Sequence, residues 1–362
     1  MQLTLSKAIF CGLYWIMMFL LYNYKVKNRH PFNRRSQRGY LMMFVLLTCY
    51  SVFDFTGGDF YGYYHLYQSS KIYSATFHME PVYGWLIEHT GTYYQWRFIV
   101  WGASLLLWVQ AVKRLRLDVD YSVLMFLLLV FFIFMAARQT LGFCFIFYGL
   151  SVVLGDNKVK IMNFLIGVAL ILCSLFFHRT MMVYCILLLL AMIPFRKWGV
   201  YVFLLAFPVI FYGFNDIIGN FMNIAGGFSE DSSARMQYYL ESDFRAVSNI
   251  RGVIRMVLER LPVFLLLGSS IYTIFIKNNK QPYIYEVLLR MAFLMIYFSY
   301  LFLGQEVSAY IAPRFWDAAL FPITIFLSYY MFERRGNTFV KICTIMLIFA
   351  KLFHVFYEVY SL

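Results

Sequence analysis

The chain has 362 residues, of which 62% are apolar and only 14% charged, whereas soluble domains sit near ~45–50% apolar and about 25% charged. So few charges cannot cover a water-facing surface, which excludes a soluble globular protein and points to a polytopic membrane protein. The net charge of +13 does not indicate nucleic acid, because the basic residues lie in short connections beside apolar runs instead of on one polar domain.

A helix of about 20 residues spans a bilayer. The first apolar run, 5–24, resembles a secretory signal, but no A-x-A-like site follows and its Lys/Arg come after it, so it reads as a retained first span. Further spans are expected at 40–56, 97–112, 121–137, 139–154, 161–177, 180–195, 198–215, 254–276, 285–303, 315–332 and 338–357. The expected fold is therefore an all-α polytopic membrane protein with about 12 transmembrane helices, forming one integral domain over 1–362. Very short turns make 121–137 and 139–154 antiparallel neighbours, and likewise 161–177 and 180–195. The six cysteines all fall within spans and form no CxxC pair, so they read as small core residues.

Charge fixes the orientation. The first connection holds Lys25, Lys27, Arg29, Arg34, Arg35 and Arg38 and no acid. Every second connection after it is basic too: Lys113, Arg114 and Arg116; Lys158 and Lys160; Arg196 and Lys197; Lys277 and Lys280; Arg334, Arg335 and Lys341. These connections read as cytoplasmic, which puts both termini outside. Two outward segments exceed what a connection needs. Residues 57–96 form a Tyr-rich loop with a short apolar helix near Pro81–Ile87, lying in the interface or dipping into it. Residues 216–253 form a large outward loop with Gly226-Gly227 and several arginines. Long loops of this kind are commonly functional.

The outward face gathers the candidate chemistry. Arg138 stands between two apolar runs; its guanidinium either snorkels to lipid phosphate or clamps a lipid-linked pyrophosphate in bidentate fashion. His178-Arg179 occupies the next outward turn, and His178 is suited to proton exchange near neutral pH or to an interfacial hydrogen bond. Arg251, Arg255 and Glu259 share a helix face, as a basic stripe or as a stabilising pair. Arg235 lies upstream and Arg314 enters the span 315–332. Asp59 and Glu80 are either helix caps or carboxylates able to deprotonate an acceptor hydroxyl. Tyr63, Tyr64 and Tyr83 belong to a loop cluster whose flat faces suit sugar rings, although most aromatics serve packing and interfacial belts. No P-loop, GxGxxG, HExxH or Asp-rich metal pair is present, so neither a metal nor another cofactor is expected.

In this order and spacing, Asp59 with Tyr63/Tyr64, Glu80-Pro81, Arg138-Gln139, His178-x-Thr180, Arg235 with Tyr238/Tyr239 and Arg314-Phe315 resemble the EpsG-like branch of Wzy-type polysaccharide polymerases, over most of the chain. The resemblance implies a GT-C-like bundle in the bacterial cytoplasmic membrane. It implies block transfer of oligosaccharide between undecaprenyl-pyrophosphate carriers at the outer face, with the lipid bilayer and a chain-length regulator protein as further partners. Arginines would then stabilise the departing pyrophosphate in place of a metal: Arg138, Arg255 and Arg314, supported by Arg235 or Arg179. His178 is the first choice of base, with Glu80 or Asp59 next; Tyr63, Tyr64, Tyr83 and Gln139 would bind sugar. A lipid-linked glycan flippase and an O-antigen-type ligase are the alternatives. A flippase needs charge along its whole depth; Glu286, Arg290 and Lys351 are the exceptions to the outward crowding.

Overall fold

The computed structural model describes residues 64–65, 67–69, 71, 81–126, 129–130, 137–155, 160–178, 180–195, 197–226, 250–277, 279–303, 308–332 and 338–361, together with 12, 16 and 19. Every element among the described residues is helical, so the fold is all-α. Helix α1 (Pro81–His89) begins on a proline, whose missing N–H would have had no helical acceptor. Helix α2 (Tyr93–Arg114) opens with a capping box. There the Gln95 N–H donates to Thr92 Oγ1 at 3.2 Å, and the Thr92 N–H donates back to Gln95 Oε1 at 3.2 Å. Helix α3 (Val119–Phe126) starts where Asp118 Oδ1 accepts the Tyr121 N–H at 2.7 Å.

Helix α4 (Ala137–Leu154) is followed by α5 (Ile161–Cys173), a 3-10 turn (Ser174–Phe176) and α6 (Met181–Met192). Helix α7 (Lys197–Gly226) runs past the expected span end at 215. Helix α8 (Ile250–Ile271) starts ahead of 254 and ends in a π turn, Tyr272–Ile276. Helices α9 (Tyr283–Leu303), α10 (Ser308–Phe332) and α11 (Thr338–Ser361) complete the order.

The chain divides into two compact units, Met1–Ile186 with Thr324–Leu362, and Leu187–Ile323. In the first unit, α4 packs chiefly on α5 and α2. Trp108, fully buried, donates its Nε1–H to the Ser122 carbonyl of α3 at 3.2 Å. In the second unit α9 is central, with Val287, Leu288, Met291, Leu294 and Met295 almost wholly enclosed.

By length and composition, one helix among the described residues could cross a membrane, Tyr283–Phe302. The segments Gln139–Leu154, Ile161–Phe176, Met181–Met192, Lys197–Gly213, Arg260–Ile276 and Lys341–Ala350 are apolar but shorter. Among the described residues these lengths do not reach the expected count of about twelve spans, each of roughly 20 residues; the spans expected at 5–24 (save 12, 16 and 19) and 40–56 lie outside the described residues. Several helices nevertheless turn apolar side chains outward. Ile161, Leu165, Leu172 and Met182 are exposed in the first unit, and Leu205, Val209 and Tyr212 in the second, with Leu205 at 78%. A helix apolar on its open side belongs in a lipid environment or under a partner.

Candidate functional site

The turn between α5 and α6 is built by the backbone. The Phe177 N–H donates to Ser174 O at 3.2 Å, and the Met181 N–H donates to His178 O at 2.9 Å. Ser174 Oγ–H donates to Ile171 O at 2.6 Å, closing the end of α5. The His178 imidazole is thereby folded inward and is only 9% exposed. Its Nδ1 accepts the Thr180 backbone N–H at 3.2 Å and lies 2.7 Å from Thr180 Oγ1. A ring nitrogen that accepts an amide proton carries none of its own, so the neutral imidazole holds its proton on Nε2.

Thr180 links this turn to α4. Gln139 Nε2–H donates to Thr180 Oγ1 at 3.4 Å, and Gln139 is itself buried. Arg138 precedes Gln139 in the first turn of α4, not in a connecting turn as expected. Its side chain lies outside the described residues. The first turn of a helix presents amide N–H groups without helical acceptors and a positive dipole end, both favourable to an anion. Next along, Thr140 Oγ1 is fully enclosed and has no hydrogen-bond partner among the described residues.

An aromatic cluster adjoins this network. Tyr67, Tyr83, Ile87, Tyr93, Trp96, Val100 and Leu141 form it, with Tyr64, Phe145 and Phe177 packed against it. Phe145 of α4 stacks on Phe177, the residue before His178, at 4.9 Å between ring centres. Arg97 is 4% exposed and holds its guanidinium 5.8 Å from the Tyr93 ring centre, a cation–π distance. Tyr67, helical in backbone, donates its hydroxyl to Thr90 O at 2.7 Å, which ties it to the end of α1.

The structure therefore brings Gln139, Thr180 and His178 together, beside the aromatic cluster that contains Tyr83. The Tyr83 ring is 1% exposed and meets Trp96 edge to face at 5.0 Å. Tyr64 is half-buried, edge-on to Tyr93 at 5.6 Å. Arg314 is half-buried in α10 and belongs, with Arg255 in the second turn of α8, to the second unit. The Arg255 side chain, and Asp59, Tyr63, Glu80, Arg179 and Arg235, lie outside the described residues.

Glu286 and Arg290 form a local lock. Arg290 Nη2–H donates to Glu286 Oε2 at 2.8 Å, Nη1–H to Ala191 O at 3.1 Å and Nε–H to Phe195 O at 3.0 Å. The pair thus satisfies the carbonyls at the end of α6, joined there by the Tyr283 hydroxyl on Met192 O. Arg97 is not among the expected site residues, and Thr180 enters the sequence reading only through His178-x-Thr180. The capping box Thr92-x-x-Gln95 was a readable signal that α2 starts early enough to carry both Trp96 and Arg97 into this cluster. Among the described residues no group of His, Cys, Asp and Glu could hold a metal ion.

A sequence model of a protein family, described as EpsG family, matches residues 38–361, nearly the whole chain. No curated protein and no solved structure matches the chain.

Proposed function

Because the chain belongs to the EpsG family, the Wzy-type polymerase-like family of polysaccharide biosynthesis, we propose that it polymerises lipid-linked oligosaccharide units at the outer face of the bacterial cytoplasmic membrane. Membership itself gives a polysaccharide polymerase-like role and an association with membranes. The finer reading is a glycosyl block transfer with undecaprenyl pyrophosphate as leaving group, carried by a bundle of about twelve spans, each roughly 20 residues.

The observation that carries this reading is the hydrogen-bonded set Gln139–Thr180–His178 beside the first turn of α4. As the glycosidic bond breaks, negative charge grows on the pyrophosphate. The positive end of α4 and the charge of Arg138 are of the right sign to meet it. With Nδ1 engaged as an acceptor, His178 acts in its neutral form through Nε2–H, as a donor to an anionic oxygen. Removal of the acceptor hydroxyl proton then passes to Glu80 or Asp59. Arg179, Arg235, Arg255 and Arg314 are further candidates for the same anion, and Tyr63, Tyr64 and Gln139 for the sugar.

The test is complementation of a strain lacking the gene. Arg138→Ala should leave lipid-linked single units unpolymerised, and Arg138→Lys should remain poor, because an ammonium cannot reproduce a bidentate fork. Losing a preorganised donor to a developing oxyanion costs about 10²-fold in rate; His178→Ala is expected to fall in that range. Full-length polymer from both Arg138 alleles at normal protein level would dispose of the clamp.

A further inference from the structure

Arg260 lies on α8, in the second unit, inside the apolar span expected at 254–276. A cation there is costly to insert unless something compensates it. Its surroundings are specific. The guanidinium carbon sits 5.1 Å from the Trp316 ring centre and 5.4 Å from that of Tyr300. Nη1–H donates to the Tyr300 hydroxyl oxygen at 3.3 Å. Phe264, one turn further along α8, backs both rings, at 5.7 Å from Trp316 and 5.3 Å from Tyr300. Three helices of one unit, α8, α9 and α10, thus hold a single guanidinium against an aromatic wall. Tyr300 and Trp316 stand toward the ends of their helices that the charge pattern assigns to the outside, and Arg260 stands midway along α8.

The seat is incomplete. A guanidinium has several N–H donors in one plane, and no described residue other than Tyr300 accepts from Arg260. Arg260 is half-buried, so part of that plane is open. Trp316 is 3% exposed, and its Nε1–H has no hydrogen-bond partner among the described residues. A cation and a buried indole N–H, both with donors to spare, call for a ligand with several acceptor oxygens and negative charge. Aromatic rings that hold the guanidinium by its face leave its edge for such a ligand.

We propose that Arg260, with Trp316 and Tyr300, binds a lipid-borne phosphate group, and specifically the pyrophosphate of a polyprenyl carrier. The choice of carrier rests on the polymerase reading. A block transfer brings two lipid pyrophosphates to one protein, a donor and an acceptor. This seat supplies an anion site on α8–α10 in addition to the one assigned to α4.

The full-length protein in phosphatidylcholine nanodiscs is titrated with farnesyl pyrophosphate, with farnesol as the phosphate-free control. Wild type should bind the pyrophosphate and not the alcohol. Arg260→Gln should weaken binding about tenfold or more, the scale of a lost charge-assisted bond. Arg260→Lys should weaken it nearly as much, since lysine keeps the charge but not the planar fork. Trp316→Phe keeps a ring and removes the N–H, and a several-fold loss is expected. Thermal midpoints identify folded variants, and Arg260→Lys serves if Arg260→Gln does not fold. Wild-type affinity in folded Arg260→Lys and Arg260→Gln overturns the seat. Loss of farnesyl pyrophosphate binding when phosphatidylglycerol is added, through competition that needs Arg260, overturns the carrier assignment in favour of a phospholipid headgroup. If deletion of the gene leaves polymer unchanged while Arg260 variants still lose binding, the polymerase reading fails and the phosphate seat stands.

Discussion

Arg290 shows what a charge requires in order to lie at zero exposure. Its donors go to one carboxylate and two backbone carbonyls, and the rings of Phe195, Phe275 and Tyr283 surround it at 5.5–5.8 Å. The cost of desolvation is offset only while both ions remain. Arg290→Met should therefore destabilise the protein by about 3–5 kcal/mol, because the buried Glu286 carboxylate loses the guanidinium that offsets its charge. The double variant Arg290→Met, Glu286→Leu should recover a large part of that loss, as read from thermal unfolding of the purified protein in detergent. A double variant no better than the single one would mean that the carbonyl bonds to Ala191 and Phe195 dominate. The spacing of Glu286 and Arg290 was legible in the sequence. Their structural role was not, because two of the three acceptors of Arg290 are carbonyls nearly a hundred positions upstream, and any residue supplies a carbonyl. The same holds for His178: its type suggested proton exchange, but the tautomer comes from a Thr180 backbone N–H that no motif encodes. Locked in this way, Glu286 and Arg290 are no longer a charge placed along a transport path, which weakens the flippase alternative.

At the level of elements, α4 and α5 come close enough for backbones to touch. A Cβ built on Gly149 would meet Gly167 O at 2.6 Å, and one built on Gly167 would meet Gly149 O at 2.7 Å. Small residues permit this approach between apolar helices, where packing rather than water release supplies the attraction. Because the obstacle is backbone, side-chain rotation cannot relieve it. Gly149→Ala should lower stability by about 1–3 kcal/mol, the usual cost of overpacking, and Gly167→Ala by a similar amount. Gly213, with nothing within 4 Å of its built Cβ in α7, is the control: Gly213→Ala should be neutral or stabilising by roughly 0.5–1 kcal/mol. Equal melting shifts at Gly149 and Gly213 would refute the close contact. The periodic apolar runs located α4, α5, α6, α9 and α11 well. They misplaced ends wherever polarity changed before the backbone did. Helix α7 carries on through the polar stretch to Gly226, since helical hydrogen bonds do not need apolar side chains. An apolar run marks contact with lipid or core, whereas caps mark where a helix begins, as Thr92 and Gln95 do for α2.

For the whole molecule, the alternating basic connections are the strongest single pattern, and they assign sides without any tertiary contact. The exposed apolar residues of α5, α6 and α7 are what lipid-facing helices would present. The orientation expected from these charges would put the His178 turn outside, where the proposed polymerase needs it. Between His89 at the end of α1 and Asn157 after α4 lie three expected crossings: α2, the run 121–137, and α4. Single cysteines at these positions, His89→Cys and Asn157→Cys, can be labelled in intact spheroplasts with a membrane-impermeant maleimide. Among the described native cysteines, 144 and 343 are buried and 173 and 185 half-buried, so the chain without an added cysteine sets the background. His89→Cys should react in intact cells and Asn157→Cys only after permeabilisation. Labelling of both in intact cells would remove one of the three crossings. The reverse pattern would turn the molecule over, put Arg138 and His178 in the cytoplasm, and leave an outer-face polymerase without its site.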